Sequence, residues 1–224
     1  MNYKNVIFDL DGTLVDSIYG IAYSMNIVLA KYGFPIHTID HYKTLVGSGR
    51  SELVRKALPK EVTEKGTIST YILDMITTYA LFWDYHLNVY DGILTLLNFL
   101  SKNEIKINVN TNKDEATTHL ILKRYFSSFD FTTIICGDSL KSKKPDPEGA
   151  ICIAQRSGYP ISQSIYIGDS EIDIETARNA QMKCISIEWG FRPKTSLIAA
   201  GAETIVAHPA EIIDFLTTKC GYTL

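Results

Sequence analysis

The chain opens on Val6, Ile7 and Phe8, an apolar run too short to be a helix face, and ends that run at Asp9-Leu10-Asp11-Gly12. Such a run reads as a strand buried on both faces, which puts Asp9 and Asp11 at its carboxyl tip and lets Gly12 turn the backbone away. The period then changes. Ile18, Ile21, Ala22, Met25 and Leu29 recur at helical spacing until Gly33 and Pro35 stop them. A short helical pattern covers 40–46, and a second, with Ser51 as its expected cap, carries Leu53, Val54 and Ala57 before Pro59. Ile68, Ile72, Met75, Ile76, Tyr79 and Trp83 mark a longer amphipathic helix, so residues 17–86 read as all-helical.

From Asp91 onward, helical stripes alternate with short apolar runs at 105–109, 131–136, 165–167 and 184–187, and a further run at 204–207 offers a last strand. This alternation predicts a parallel sheet wrapped by helices. The expected fold class is α/β, with one domain made of residues 1–16 and 88–224 and interrupted by a helical insertion, 17–87.

Length and charge narrow the picture further. A chain of 224 residues accommodates either one domain with an insertion or two domains. Its net charge of −3, with signs mixed along the chain, supplies no basic field for nucleic acid or an anionic membrane, so any anion site must be local. No apolar run is long enough to span a bilayer, and no charged segment with an apolar one behind it precedes the first strand. Cys136, Cys152, Cys184 and Cys220 are far apart and lack C-x-x-C spacing, which favours reduced core thiols over disulfides or zinc. The expectation is a cytoplasmic protein with neither nucleic acid nor membrane as partner.

Candidate chemistry gathers at the expected strand ends. Asp9 and Asp11 alone read as a turn. A calcium loop starting at Asp9 fails, because Leu14 falls where its glycine belongs and Gly20 where its glutamate belongs. The second strand ends at Thr111 and Asn112, which offer a hydroxyl and a main-chain N–H, although Thr111 also suits the cap of a helix starting near Asp114. A later strand ends at Gly168-Asp169, with Asp173 a turn further on, and two acids there exceed what capping needs. Lys143-Lys144-Pro145 lies between these segments. Four carboxylates meeting one lysine leave a negative remainder, which implies a bound divalent cation. Oxygen donors without histidine or cysteine favour Mg²⁺. His37, His41, His86, His119 and His208 fall at no metal-ligand or triad spacing.

In order, Asp9-x-Asp11-Gly-Thr13, Thr111 after a strand, Lys144-Pro145, and Gly168-Asp169-x-x-x-Asp173 resemble the four motifs of the haloacid dehalogenase-like hydrolase superfamily. The helical insertion directly after the first motif is similar to the cap of its phosphoglycolate phosphatase-like branch. The resemblance implies a Rossmann-like three-layer core with a mobile helical cap. It implies Asp9 as the nucleophile that forms an aspartyl-phosphate and Asp11 as the acid and base for the leaving oxygen and the water. It also implies that Mg²⁺ is held by Asp9, Asp169 and the main chain of Asp11, with Asp173 supporting, and that Thr111, Asn112 and Lys144 grip the phosphoryl oxygens.

Departures within the family sharpen the expected reaction. Dehalogenase members lack the second acid that Asp11 supplies. Mutase relatives usually carry valine at the place of Thr13 and a histidine early in the next helix, which residues 17–25 do not contain. Phosphonate-cleaving relatives need a cap lysine, and none lies between Asp16 and Ala30. A Mg²⁺-dependent phosphatase of a small phosphorylated metabolite is therefore expected, with phosphoglycolate the first guess, acting as a monomer or homodimer. Pyrophosphatase or sugar-phosphate phosphatase or mutase chemistry is the alternative. A phospho-acceptor switch and a non-catalytic binding protein rank below these. In the insertion, Gly47, Ser48 and Arg50 offer a substrate contact, with an ordinary interhelical turn as the equal alternative.

Overall fold

The computed structural model describes residues 3–222. The opening apolar run forms β1 (Asn5–Phe8), buried along its whole length. The chain then passes through β2 (Val15–Asp16), α1 (Ile18–Lys31), α2 (Ile39–Leu45), α3 (Arg50–Ala57), α4 (Lys60–Lys65) and α5 (Ser69–Phe82), and leaves the helical stretch at β3 (Asn88–Val89). Helices and strands alternate from there: α6 (Ile93–Lys102), β4 (Lys106–Asn110), α7 (Glu115–Tyr125), β5 (Phe131–Ile135), α8 (Glu148–Ser157), β6 (Ser164–Gly168), α9 (Glu171–Asn179), β7 (Lys183–Ile187), α10 (Lys194–Ala199), β8 (Ile205–Val206) and α11 (Pro209–Cys220).

The chain divides into two compact units, one of Asp16–Asn88 and the other of the segments before and after it. The larger unit is the α/β fold expected from the alternation. Its six strands run in the order β5-β4-β1-β6-β7-β8, all parallel. Phe8 pairs in register with Val109 on one side and Ile167 on the other, so Asp9, Asn110 and Gly168 stand level with one another at the carboxyl edge of the sheet. The strand order departs in both directions from β1, and the carboxyl ends at such a switch point are where open parallel sheets hold ligands. Ile7, Ile135, Ala150, Ile153, Tyr166, Ala177 and Met182 pack together beneath that edge, each large side chain worth roughly 1.5–3 kcal/mol of burial.

The sheet interior also holds a polar ladder that the apolar reading of 105–109 did not anticipate. Asn108 Nδ2 donates to Asn5 Oδ1 at 2.7 Å and to the Val6 carbonyl at 3.0 Å, and Asn5 Nδ2 donates to Ser164 Oγ at 3.0 Å. Ser157 Oγ donates to Asn108 Oδ1 at 3.2 Å. Buried amides are tolerated when their hydrogen bonds are made, as here.

In the smaller unit α1 and α5 pack lengthwise, burying Ile18, Ile21, Met25 and Leu29 with Met75 and Tyr79. Two local expectations change. Ser51 does not cap α3, because the helix already starts at Arg50 and its cap is Gly49, whose φ of 87° a serine rarely adopts. α4 was not expected, since Val62 is the one strongly apolar residue in its short span and leaves no periodic signal. Cys136, Cys152 and Cys184 are free, and burial pushes the thiols of Cys136 and Cys184 up to about 11 and about 12. The side chain of Cys220 lies outside the described residues. Among the described residues no helix is long and apolar enough to cross a membrane.

Candidate active site

The site begins one residue beyond the sheet. The Asp9 N–H donates to the Ile167 carbonyl at 2.9 Å, extending the ladder past β1 and fixing the backbone from which the side chain projects. Asp9 Oδ1 accepts the Leu10 N–H at 2.7 Å and lies 2.9 Å from Lys144 Nζ. The same ammonium lies 2.7 Å from Asp173 Oδ1. Asn112 anchors the lysine's backbone from the neighbouring strand end: its Oδ1 accepts the Lys144 N–H at 2.9 Å and its Nδ2 donates to the Lys144 carbonyl at 3.1 Å.

Asp173 has two jobs. Its Oδ2 accepts Ser170 Oγ at 2.6 Å and the Ser170 N–H at 3.1 Å, closing a capping box on α9. Its other oxygen faces Lys144. Asp169 is held from the loop after β7, where the Phe191 N–H donates to its Oδ2 at 2.7 Å, and Thr13 Oγ1 approaches its Oδ1 at 3.4 Å. The two segments that hold Asp169 each fit only with glycine at one place. A Cβ on Gly190 would sit 2.2 Å from the Asp169 Cβ, and one on Gly12 would sit 2.5 Å from Asp169 Oδ2. Trp189 Nε1 ties the two segments together by donating to the Thr13 carbonyl at 3.1 Å.

One carboxylate oxygen each from Asp9, Asp169 and Asp173 lies within 4.8 Å of the others, and all three residues are buried. Burial pushes the carboxyl of Asp9 up to about 7, and the Asp173 charge adds to that; Lys144 opposes the rise without cancelling it. Burial, then Asp173 and Asp9, push Asp169 up to about 8 against the Phe191 hydrogen bond. Burial alone would lower Lys144, but the Asp173 and Asp9 charges dominate and hold it well above the ordinary lysine range. The pocket is short of positive charge. Its all-oxygen donor set fits a hard divalent cation, with Asp9 and Asp169 the carboxylates least committed to protein donors.

Of the residues singled out in the sequence, Asp9, Asp11, Thr111, Asn112, Asp169 and Asp173 follow the carboxyl ends of β1, β4 and β6, and Lys144, from the segment between β5 and α8, brings its ammonium to Asp9 and Asp173. Thr111 caps no helix. Asp114 does so instead, accepting the Thr117 N–H at 3.0 Å, while Thr111 Oγ1 accepts the Lys113 N–H at 3.2 Å. Gly47, Ser48 and Arg50 belong to the smaller unit, between α2 and the first turn of α3.

The count of one lysine against four acids was wrong: a second buried lysine, Lys113, lies 3.0 Å from Asp11. It escaped notice because a lysine in a loop ordinarily reads as solvated. The signal was its place, in the same strand-end segment as Thr111 and Asn112. Gly190 and Trp189 were missed for a different reason, since neither carries a group that suggests chemistry.

A parallel-sheet α/β fold with carboxylates, a hydroxyl and lysines gathered at its switch point is an enzyme architecture. The chain belongs to the haloacid dehalogenase-like hydrolase family, whose sequence model matches residues 6–187. It is 32% identical over 217 residues to a phosphoglycolate phosphatase of Pseudomonas savastanoi pv. phaseolicola, covering 95% of this chain and 77% of that one. It is 34% identical to a phosphoglycolate phosphatase of Pseudomonas fluorescens, covering 94% and 76%. Among solved structures, a candidate phosphoglycolate phosphatase of Lactobacillus delbrueckii subsp. bulgaricus superposes with a TM-score of 0.88 at 27% identity, covering 96% and 99% of the two chains.

Proposed function

We propose that the protein is a Mg²⁺-dependent phosphatase that hydrolyses a small phosphomonoester through an aspartyl-phosphate, with 2-phosphoglycolate the first substrate to test. The observation that carries this reading is the Lys144 ammonium, which bridges Asp9 and Asp173 while Asp169 lies within reach of both acids. Asp9 attacks phosphorus and the ester oxygen leaves, so that one hard displacement becomes two easier ones. Asp11 gives a proton to the departing oxygen and later takes one from the attacking water. Lys144, the Thr111 hydroxyl and the Asn112 N–H hold the phosphoryl oxygens, since phosphoryl transfer depends on positioning and on neutralising charge.

Asp9, Asp169 and the Asp11 carbonyl would hold the cation, with Asp173 supporting. When bound, Mg²⁺ supplies the positive charge that the carboxylates lack and that a phosphoryl group needs. Residues 17–87 serve as the cap, and Gly47, Ser48 and Arg50 contribute to substrate choice.

Phosphate release from a panel of phosphorylated metabolites, with and without Mg²⁺, tests the reading. Turnover is expected only with Mg²⁺, and Asp9→Asn is expected to abolish it. Undiminished release by Asp9→Asn would defeat the mechanism, and a phospho-enzyme lasting minutes without turnover would favour a switch.

A further inference from the structure

Lys113 has no part in the chemistry described so far, yet its ammonium lies 3.1 and 3.0 Å from the two carboxylate oxygens of Asp11. The lysine side chain is 5% exposed and that of Asp11 is 21% exposed, so the acid keeps an open edge while the lysine holds it from the closed side. The lysine's backbone is fixed on both flanks. Its N–H donates to Thr111 Oγ1 at 3.2 Å, and its carbonyl accepts the Gly137 N–H at 2.8 Å. At Gly137 the two loops meet backbone to backbone, since a Cβ there would lie 2.3 Å from the Asn112 carbonyl oxygen. Immobilising a lysine costs rotamer entropy, and burying its charge costs more. Lys144 already serves Asp9 and Asp173, so the second buried lysine is set against the acid that has to move protons.

We propose that Lys113 is a positioning residue that grips the Asp11 carboxylate and aims its open edge at the leaving oxygen of the substrate. The inference rests on the reading of Asp11 as the proton donor. As the bond from Asp9 to phosphorus forms and the ester P–O bond breaks, a proton passes from Asp11 to the departing oxygen, giving the alcohol and an Asp11 carboxylate. In the second half, a water oxygen bonds to phosphorus, the Asp9–phosphorus bond breaks, and the water's proton returns to Asp11. Lys113 exchanges nothing and fixes where the proton is given and taken.

The test compares two esters through kcat/KM, which covers events up to departure of the leaving group. The best alkyl monoester of the metabolite panel needs a proton on its leaving oxygen; p-nitrophenyl phosphate does not. Lys113→Met is expected to lose about 10²-fold on the alkyl ester and under about tenfold on the aryl ester, the size of effect that a misaimed general acid produces. Lys113→Arg is expected to recover most of the loss. Because Lys113 acts through Asp11, the double variant Lys113→Met with Asp11→Asn is expected to be no slower than Asp11→Asn alone.

Equal losses on both esters by Lys113→Met, or losses that multiply in the double variant, overturn the proposal while leaving the Asp11 reading intact. Equal losses on both esters by Asp11→Asn overturn that reading and the proposal with it. If thermal melts show Lys113→Met to be unfolded, Lys113→Gln takes its place in the ester comparison and in the double variant, with Lys113→Arg again the rescue and the same two outcomes.

Discussion

Strands β4, β1 and β6 carry two buried polar clusters, and they are built on opposite terms. Within the sheet, Asn5, Asn108 and Ser164, joined by Ser157 from the end of α8, are neutral and bond to one another. At the carboxyl ends, Asp9, Asp169 and Asp173 converge with a single bridging ammonium from Lys144, and the carboxyls of Asp9 and Asp169 are pushed up to about 7 and about 8. The first cluster closes on itself and needs nothing. The second leaves charge over, and a buried surplus of one sign is costly unless something completes it. The contrast separates polar burial that supports a fold from polar burial that awaits a ligand.

Substitutions can break that contrast at either end. The largest effect is expected from Asp169→Asn, which removes a carboxylate from the incomplete cluster. Turnover should fall by about a thousandfold or more, in line with the several kcal/mol a catalytic metal contributes, and Mg²⁺ should no longer raise the melting temperature. Calorimetry with and without the ion reads both. Retained activity would show that the carboxylate surplus does not hold the cation.

At the closed cluster the outcome should invert. Asn108→Val strips partners from Asn5 and Ser157 and should cost about 2–3 kcal/mol of stability, measured by denaturant unfolding, with turnover per folded molecule unchanged. A loss of turnover without a loss of stability would show that the two clusters are coupled.

The smallest expected effect is in the pH dependence. Asp9 and Asp169 have folded-state values above the ordinary aspartate value of 3.8, so the folded protein binds protons more tightly than the unfolded chain. Their contribution to stability is full below about 3.8, falls as pH rises above that value, and is gone once pH has passed about 7 and about 8. Metal-free protein should therefore lose stability across that window. Mg²⁺ competes with those protons, so its stabilisation, about 3 kcal/mol at a hundredfold excess over Kd, should be larger at pH 8.5 than at pH 6. A shift of equal size at both would argue against these two ligands.

Much of this was legible before any coordinates. The strand–helix alternation after Asp91 announces the parallel α/β sheet, because burial on one face or on two leaves different periods in a sequence. The misses have local causes. α4 is too short to show a period, and the α3 cap depends on a backbone angle at Gly49 that its neighbours do not reveal. The asparagines of the ladder interrupt an apolar run that was read as continuous.

The sequence by itself determined the order of elements and the kinds of donor at each strand end, since periodicity and residue type are local properties. Tertiary structure alone decided which charge meets which. Lys144 reaches Asp9 and Asp173, Lys113 reaches Asp11, and Gly190 makes room for Asp169. Coulomb energy and burial depend on distance through space, and Asp11 and Lys113 are 102 positions apart along the chain and 3.0 Å apart in the fold.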